Sequence, residues 1–208
     1  MPENYQLLLD KTLDDLQQGA KPRLLLQVCC APCSSYVLEY LNKYFDITLY
    51  FYNPNISPQD EYFFRADELK RLTREMPLET IPNIVVCDYD YNEFLEIASG
   101  KEDLPEGGAR CFLCYELRLE RTAQFAKEKN FDYFCTTLSI SPHKNAQKLN
   151  EIGKALSNKY NVPYLFSDFK KKNGYKRSIE LSKEYNLYRQ DYCGCEFSKA
   201  NSAQNKEK

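Results

Sequence analysis

The sequence predicts an α/β fold in three layers, a parallel sheet flanked by helices. Three observations carry that expectation. Short apolar runs alternate with stretches of helical periodicity. The runs are continuously apolar rather than alternating with polar residues, the pattern of strands buried on both faces. Helix-start signals follow the runs. At 208 residues the chain is long enough for one domain with a real core, and it has no internal repeat.

The elements follow in order. The opening MPENYQLLLDKTLDDLQQGAK reads as an amphipathic helix with Leu9, Leu13 and Leu16 on one face and Gly19 as its stop. Strands are expected at 24–28, 47–52, 84–87 and 133–137, with a weaker fifth at 163–166. Ser57–Pro58–Gln59–Asp60 combines an N-cap, a proline at the first helical position and a carboxylate at the third. The helix it opens buries Tyr62, Ala66, Leu69, Leu72 and Met76. Ser141–Pro142 opens another in the same way, with Ala146, Leu149, Ile152 and Leu156 inward. PEGGARCFLCYELRLERTAQFAKEK carries the stripe Phe112, Tyr115, Leu119, Ala123 and Ala126. Residues 1–198 then form a single α/β catalytic domain, and the polar 199–208, KANSAQNKEK, a disordered tail.

Composition removes several classes. The net charge of −2 gives no global basic field, so any contact with nucleic acid must be a local patch. The one histidine, His143, would have to serve any histidine-based zinc site or protease alone. It reads as an exposed first-turn residue. The early residues are charged and no apolar run approaches transmembrane length, so no secretory leader and no membrane partner are expected. In a cytoplasmic protein, clustered cysteines more often bind metal or do redox work than form structural disulfides.

There are nine cysteines. Cys87 and Cys135, inside apolar strands, read as small buried hydrophobes. The other seven come as CC, CxxC and CxC groups beside turns. Cys29, Cys30 and Cys33 follow the first strand. Cys111 and Cys114, three apart, share one face of a helix's first turn, where the dipole and flanking arginines lower a thiol pKa. The Gly107–Gly108 turn before them permits close backbone approach. Cys193 and Cys195 flank a glycine. Open α/β sheets carry their sites outside the carboxyl ends of the strands, where Asn53–Pro54–Asn55, Asp88 and Thr136–Thr137 also lie. A structural zinc site, an iron–sulfur cluster and a thioredoxin-like dithiol all remain open on these residues. The dithiol fits least, because CFLC does not follow a strand. Adjacent extended residues point apart, so Cys29 and Cys30 can share one centre only if the loop bends at Ala31–Pro32.

The combination CCAPCS at 29–34, YNPNISPQDEYFFR at 52–65, ARCFLCYELRLERT at 109–122, FCTTLSISPHKN at 134–145 and YRQDYCGCEFS at 188–198 resembles the epoxyqueuosine reductases of the QueH type. That resemblance implies a fold similar to the adenine-nucleotide hydrolase-like (HUP-like) domains. It implies reduction of epoxyqueuosine to queuosine at the wobble position of tRNA without cobalamin, by a 4Fe–4S cluster beside a second metal ion, iron. It implies cluster ligation by Cys29, Cys30, Cys111 and Cys114, with Cys33 on the second metal or facing substrate. Cys193 and Cys195 become a redox pair or disulfide. The partners implied are a tRNA carrying epoxyqueuosine and an electron-donor protein such as a ferredoxin or flavodoxin.

Epoxide deoxygenation needs two electrons and two protons, and it releases one oxygen as water. Tyr115, Tyr62 and Asp88 are the candidate proton donors. Arg65, Arg118, Arg121, Lys144 and Arg189 lie in the matching segments as candidate contacts to phosphate or the modified base. The run FKKKNGYKRS adds Lys170, Lys171, Lys172, Lys176 and Arg177 as a tether for the tRNA backbone. Two other functions stay in view. A PP-loop-like enzyme that thiolates or adenylates tRNA shares this kind of sheet, but CCAPCSS is no glycine-rich phosphate cradle. A non-enzymatic zinc-stapled RNA-binding module is the second.

Overall fold

The computed structural model describes residues 3–16 and 21–200. Its sheet has four parallel strands: β1 (Arg23–Gln27), β2 (Asp46–Phe51), β3 (Asn83–Val86) and β4 (Tyr133–Thr136). They run in the order β3-β2-β1-β4. The helices are α1 (Tyr5–Asp15), α2 (Ala31–Leu41), α3 (Gln59–Glu75), α4 (Asn92–Ala98), α5 (Ala109–Glu128), α6 (Ala146–Tyr160) and α7 (Gly174–Glu184). The chain builds β1, β2 and β3 outward in one direction, then returns to place β4 on the other side of β1. This reversal creates a crevice at the carboxyl ends of β1 and β4, where open α/β sheets bind their ligands.

The three expected layers are present, because alternate residues of each strand face opposite sides. Leu24 and Leu26 of β1 pack with Ile47, Leu49, α1, α2 and α3. Leu25 and Tyr50 face the opposite way, onto Leu119 and Ala123 of α5 and Leu149 and Ile152 of α6. Both sides of β1 are therefore dry, which accounts for its continuous apolar run. β3, at the sheet edge, is only half-buried, short of the two-sided burial its composition suggests.

Local signals were met with some shifts. Leu9 and Leu13 are buried and Leu16 packs at the edge of the same cluster, while Gly19 lies outside the described residues. Ser57 does not cap α3. Pro58 takes the N-cap position, and the Ser57 N–H is committed to the Gly194 carbonyl at 3.0 Å. Ser141–Pro142 likewise does not open α6. Those residues form a turn closed by the Lys144 N–H on the Ser141 carbonyl, and Asn145 caps the helix through the Lys148 N–H at 2.9 Å. His143 is thus an exposed turn residue rather than part of a first helical turn. The fifth strand reduces to a single bridge, Phe134 to Tyr164, with two backbone hydrogen bonds. Phe112 is half-buried, and Arg110, Cys114 and Arg118 share the buried side of α5 with the predicted stripe. Lys199 and Ala200 continue a helical turn that begins at 196, and residues 201–208 of the expected tail lie outside the described residues.

Candidate functional site

The crevice is lined with sulfur. β1 ends at Gln27, and α2 starts at Ala31 with proline in its first turn. The sharp bend between them turns Cys29, Cys30 and Cys33 toward one another, with their three sulfurs within 4.8 Å. Cys29 and Cys30 stand 3.7 Å apart. A tetrahedral ion holding sulfur at about 2.3 Å sets its ligands about 3.8 Å apart. The trio therefore has the spacing of three ligands to one soft ion. A four-iron cluster binds one thiolate per iron, so its ligands stand wider apart than these.

α5 delivers the second group. Cys111, Cys114 and Arg118 follow helical spacing and face the crevice. Gly107, at φ +84°, aims its N–H at the Cys111 sulfur, 3.3 Å away. The third group comes from the C-terminal segment. Gly194, at φ +132°, lies where a Cβ would meet Ile56 at 2.9 Å, so this CxC turn fits against the entry to α3 only with glycine between its thiols.

Two adjoining cavities result. The outer is an open cleft of about 530 Å³, with the Cys29–Cys30–Cys33 trio on one wall and Arg189, Tyr192 and Cys193 on another. The inner is a small space of about 20 Å³ bordered by Cys111, Cys114, Tyr115 and Cys195. That is about the room one water needs. Glu106, Arg118, Lys144, Cys193 and Ser198 line both. Seven thiols from three distant segments thus surround one crevice.

Cations are buried beside them. Arg65, Arg110 and Arg118 are 1–2% exposed and Lys144 is 8% exposed. Arg110 is satisfied locally by the Lys101 and Glu102 carbonyls. The others face sulfur. Lys144 Nζ lies 3.0 Å from Cys193 Sγ and 3.7 Å from Glu106. Arg65 binds Glu61 and the Cys193 carbonyl, yet its Nη2 has no partner. Arg118 donates to Asn53 Oδ1 at 2.6 Å, and its Nε has no partner. Burying a guanidinium with an unmet donor is costly, and the cost is offset where thiolate charge lies alongside. The donor set therefore fits an anionic metal–thiolate centre.

The thiols respond to these neighbours. Hydrogen bonds from Cys29 and Cys33, together with Arg65, hold Cys30 well below the usual thiol range. Cys29 is pushed up to about 11, chiefly through its hydrogen bond to Cys30. Cys33 is raised well above the usual range by Cys29 and Cys30. The three sulfurs accordingly titrate as one hydrogen-bonded group. Burial pushes Cys114 up to about 11 and Cys195 up to about 12. It also raises Tyr115, whose hydroxyl has no partner. Such values describe thiols without metal, and ligation deprotonates them.

Not every expected residue joins the site. Tyr62 is buried beneath the sheet rim, where its hydroxyl donates to the Cys87 carbonyl at 2.7 Å, with the Phe51 carbonyl 3.1 Å away. Asp88 is exposed and lines neither cavity. Tyr62 is committed to those carbonyls, and Asp88 follows β3 at the sheet edge, away from the β1–β4 crevice. Arg121 turns outward onto Glu93 and the Tyr52 ring. All nine cysteines are free thiols, so Cys193 and Cys195 form no disulfide. Cys193 accepts from Lys144 and Cys195 from the Ser198 N–H at 3.4 Å, which directs the two sulfurs to different partners. Cys135 is fully buried and Cys87 half-buried. In the basic run, Lys170 binds the Ser139 carbonyl, Lys172 pairs with Asp10 and Arg177 with Glu39. Lys171 and Lys176 remain exposed.

Sequence reading missed Asn53 as the acceptor that orients Arg118. Gln27, fully buried in β1, donates to the same Asn53 oxygen at 3.2 Å. A polar glutamine ending an apolar strand was the available signal. Glu106 and Ser198, joined at 3.1 Å, were also missed, and nothing local distinguishes them.

Comparison with known proteins places this geometry in context. A solved structure, the U34-tRNA thiolase NcsA from Methanococcus maripaludis with its [4Fe-4S] cluster, superposes with a TM-score of 0.53. It matches 98% of this chain and 71% of its own at 14% identity, which carries the fold alone. A Streptococcus pyogenes protein named Epoxyqueuosine reductase QueH is 44% identical over 205 residues, 95% of this chain and 80% of its own. The Thermotoga maritima protein of the same name is 37% identical over 178 residues, 84% of this chain and 89% of its own. The family model for Epoxyqueuosine reductase QueH matches residues 24–201, a span that takes in all three cysteine groups. By both measures the chain belongs to the epoxyqueuosine reductase QueH family.

Proposed function

We propose that this chain is an oxidoreductase that converts epoxyqueuosine at the wobble position of tRNA to queuosine. The observation that carries the reading is the convergence of seven thiols on one crevice, with Arg118 and Lys144 buried among them. Cys29, Cys30, Cys111 and Cys114 would hold a 4Fe–4S cluster, with the Cys29 and Cys30 sulfurs spreading from their 3.7 Å separation to the wider spacing of cluster ligands. Supporting that bridge between segments, Arg118 interacts with both Cys114 and Cys29. Cys33 would hold a second ion, iron; the close trio supports it. Cys193 and Cys195 would form a nearby redox pair. Bound there, the cluster supplies electrons singly and the adjacent ion a Lewis acid for C–O cleavage.

The chain's own groups do the rest. The cleft of about 530 Å³ is of the size that encloses small ligands, enough for a flipped modified base. Tyr115 borders the inner cavity with a hydroxyl that has no partner and is protonated at neutral pH, so it can donate. The Lys144 ammonium faces both cavities and stabilises negative charge developing on the departing oxygen. Arg189, Lys171 and Lys176 are exposed for phosphate contact. A ferredoxin or flavodoxin in the cytoplasm would supply the electrons. Among the described residues no helix is long and apolar enough to cross a membrane.

Anaerobic purification tests the reading directly. A brown protein with iron and sulfide, which deoxygenates epoxyqueuosine in tRNA in a single reduced turnover, is expected. A colourless protein with stoichiometric zinc and no turnover would establish the RNA-binding module instead.

A further inference from the structure

Beside the cleft lies a pair of aromatic rings that no catalytic role uses. Phe64 on α3 is 48% exposed and Tyr188 is 38% exposed. Their centroids are 4.9 Å apart at 77°, edge to face. This contact holds each ring in place and leaves much of both in solvent. Their neighbours are also fixed. The Tyr188 N–H binds Glu68, and Arg71 binds the Tyr185 carbonyl. Arg65, next to Phe64, lies against the Tyr192 ring at 5.2 Å. Tyr192 and Arg189, which adjoins Tyr188, both line the cleft. Tyr188 also interacts with Arg65 and Tyr192, which places the rings close to the cleft wall that Tyr192 forms.

Resting on the tRNA reading above, we propose that Phe64 and Tyr188 form a stacking ledge for the unpaired bases next to the target nucleotide. Drawing one base into the cleft removes it from the anticodon stack and leaves its neighbours with an uncovered face. Aromatic side chains satisfy such faces without reading sequence. A pre-positioned ring loses little freedom on contact, which favours it over a mobile side chain. Arg189, exposed on the cleft wall and next to Tyr188 in the chain, supplies positive charge for the backbone. The ledge holds the loop and does not touch the epoxide.

The test uses a synthetic anticodon stem-loop with 2-aminopurine beside the target position, bound to the full holoenzyme. Wild-type protein should quench the probe. Phe64→Leu and Tyr188→Leu keep apolar bulk but remove the π-face. They should lose the quench and bind about tenfold more weakly, the lower range for one lost stack. Phe64→Tyr should restore both. KM for the tRNA should rise by a similar factor with kcat unchanged, and melting temperature and iron content should stay at wild-type values. Wild-type quench and affinity in both leucine variants would overturn the ledge, as would unchanged RNA affinity with a raised requirement for the electron donor, which would assign the rings to a protein partner. If wild-type protein quenches the probe yet reduces no epoxyqueuosine, the ledge stands and the reductase reading falls.

Discussion

Cys33 is the thiol whose role is most open to experiment. It opens no strand and ends no helix, yet its sulfur sits in a trio 4.8 Å across with two neighbours already proposed as ligands. If it holds the second ion, Cys33→Ala should lose that metal and slow anaerobic single turnover by at least about a hundredfold, the lower scale of lost electrophilic stabilisation. Wild-type rate with unchanged metal content would remove it from the mechanism. Arg118 is the complementary case, a buried cation beside thiols of two segments. A positive charge beside a cluster favours the added electron. Arg118→Met should therefore shift the reduction potential to more negative values in a spectroelectrochemical titration. An unchanged potential would show that its charge is spent on Asn53 alone.

The elements are held by packing that leaves little slack. α6 carries Gly153 against Tyr164, and a Cβ there would meet the ring at 2.4 Å. Gly153→Ala should overpack this contact and lower stability by about 1–3 kcal/mol in urea unfolding. β4 offers a separate measure. Burial pushes its Cys135 thiol up to about 12 from an ordinary value of 9.0. Folding therefore retains a proton that the unfolded chain releases between those values. The contribution is fully present below pH 9 and is lost as pH rises toward 12, with a slope of about 1.4 kcal/mol per pH unit for one proton. Cys135→Ala should flatten that share of the alkaline limb in unfolding curves taken across the window. An identical limb in the variant would mean that the tyrosines alone produce it.

At the scale of the whole molecule, a net charge of −2 must be reconciled with a polyanionic substrate. Much of the positive charge is neutralised. Lys172 and Arg177 are paired with Asp10 and Glu39, while Arg65 and Lys144 are turned inward. Binding then depends on a few exposed cations around the cleft. The logarithm of tRNA affinity should fall with the logarithm of salt at a shallow slope, about 0.7–0.9 per phosphate neutralised. Lys171→Ala and Lys176→Ala should each reduce that slope by nearly one phosphate equivalent. A slope insensitive to both would place the tRNA backbone elsewhere.

Read alone, the residues determined the parallel sheet, the positions of four of the five expected strands to within about one residue, and the three groups of clustered thiols. Such features are local: apolar runs, glycine turns and helical spacing act over a few residues. The helix starts that misled did so for different reasons: Ser57 is held by the distant Gly194 carbonyl, whereas Ser141 is taken up by its own local turn. What only the tertiary structure decided is which polar residues share a space. Asn53 orients Arg118 across 65 positions. Lys144 reaches Cys193 across 49. Asp88, although just past the carboxyl end of β3, falls outside the crevice because the order of strand addition reverses between β3 and β4, and Tyr62, on α3, spends its hydroxyl on backbone carbonyls. No local pattern encodes that reversal. It follows from burying both faces of β1, and it gathers the sulfur into one centre.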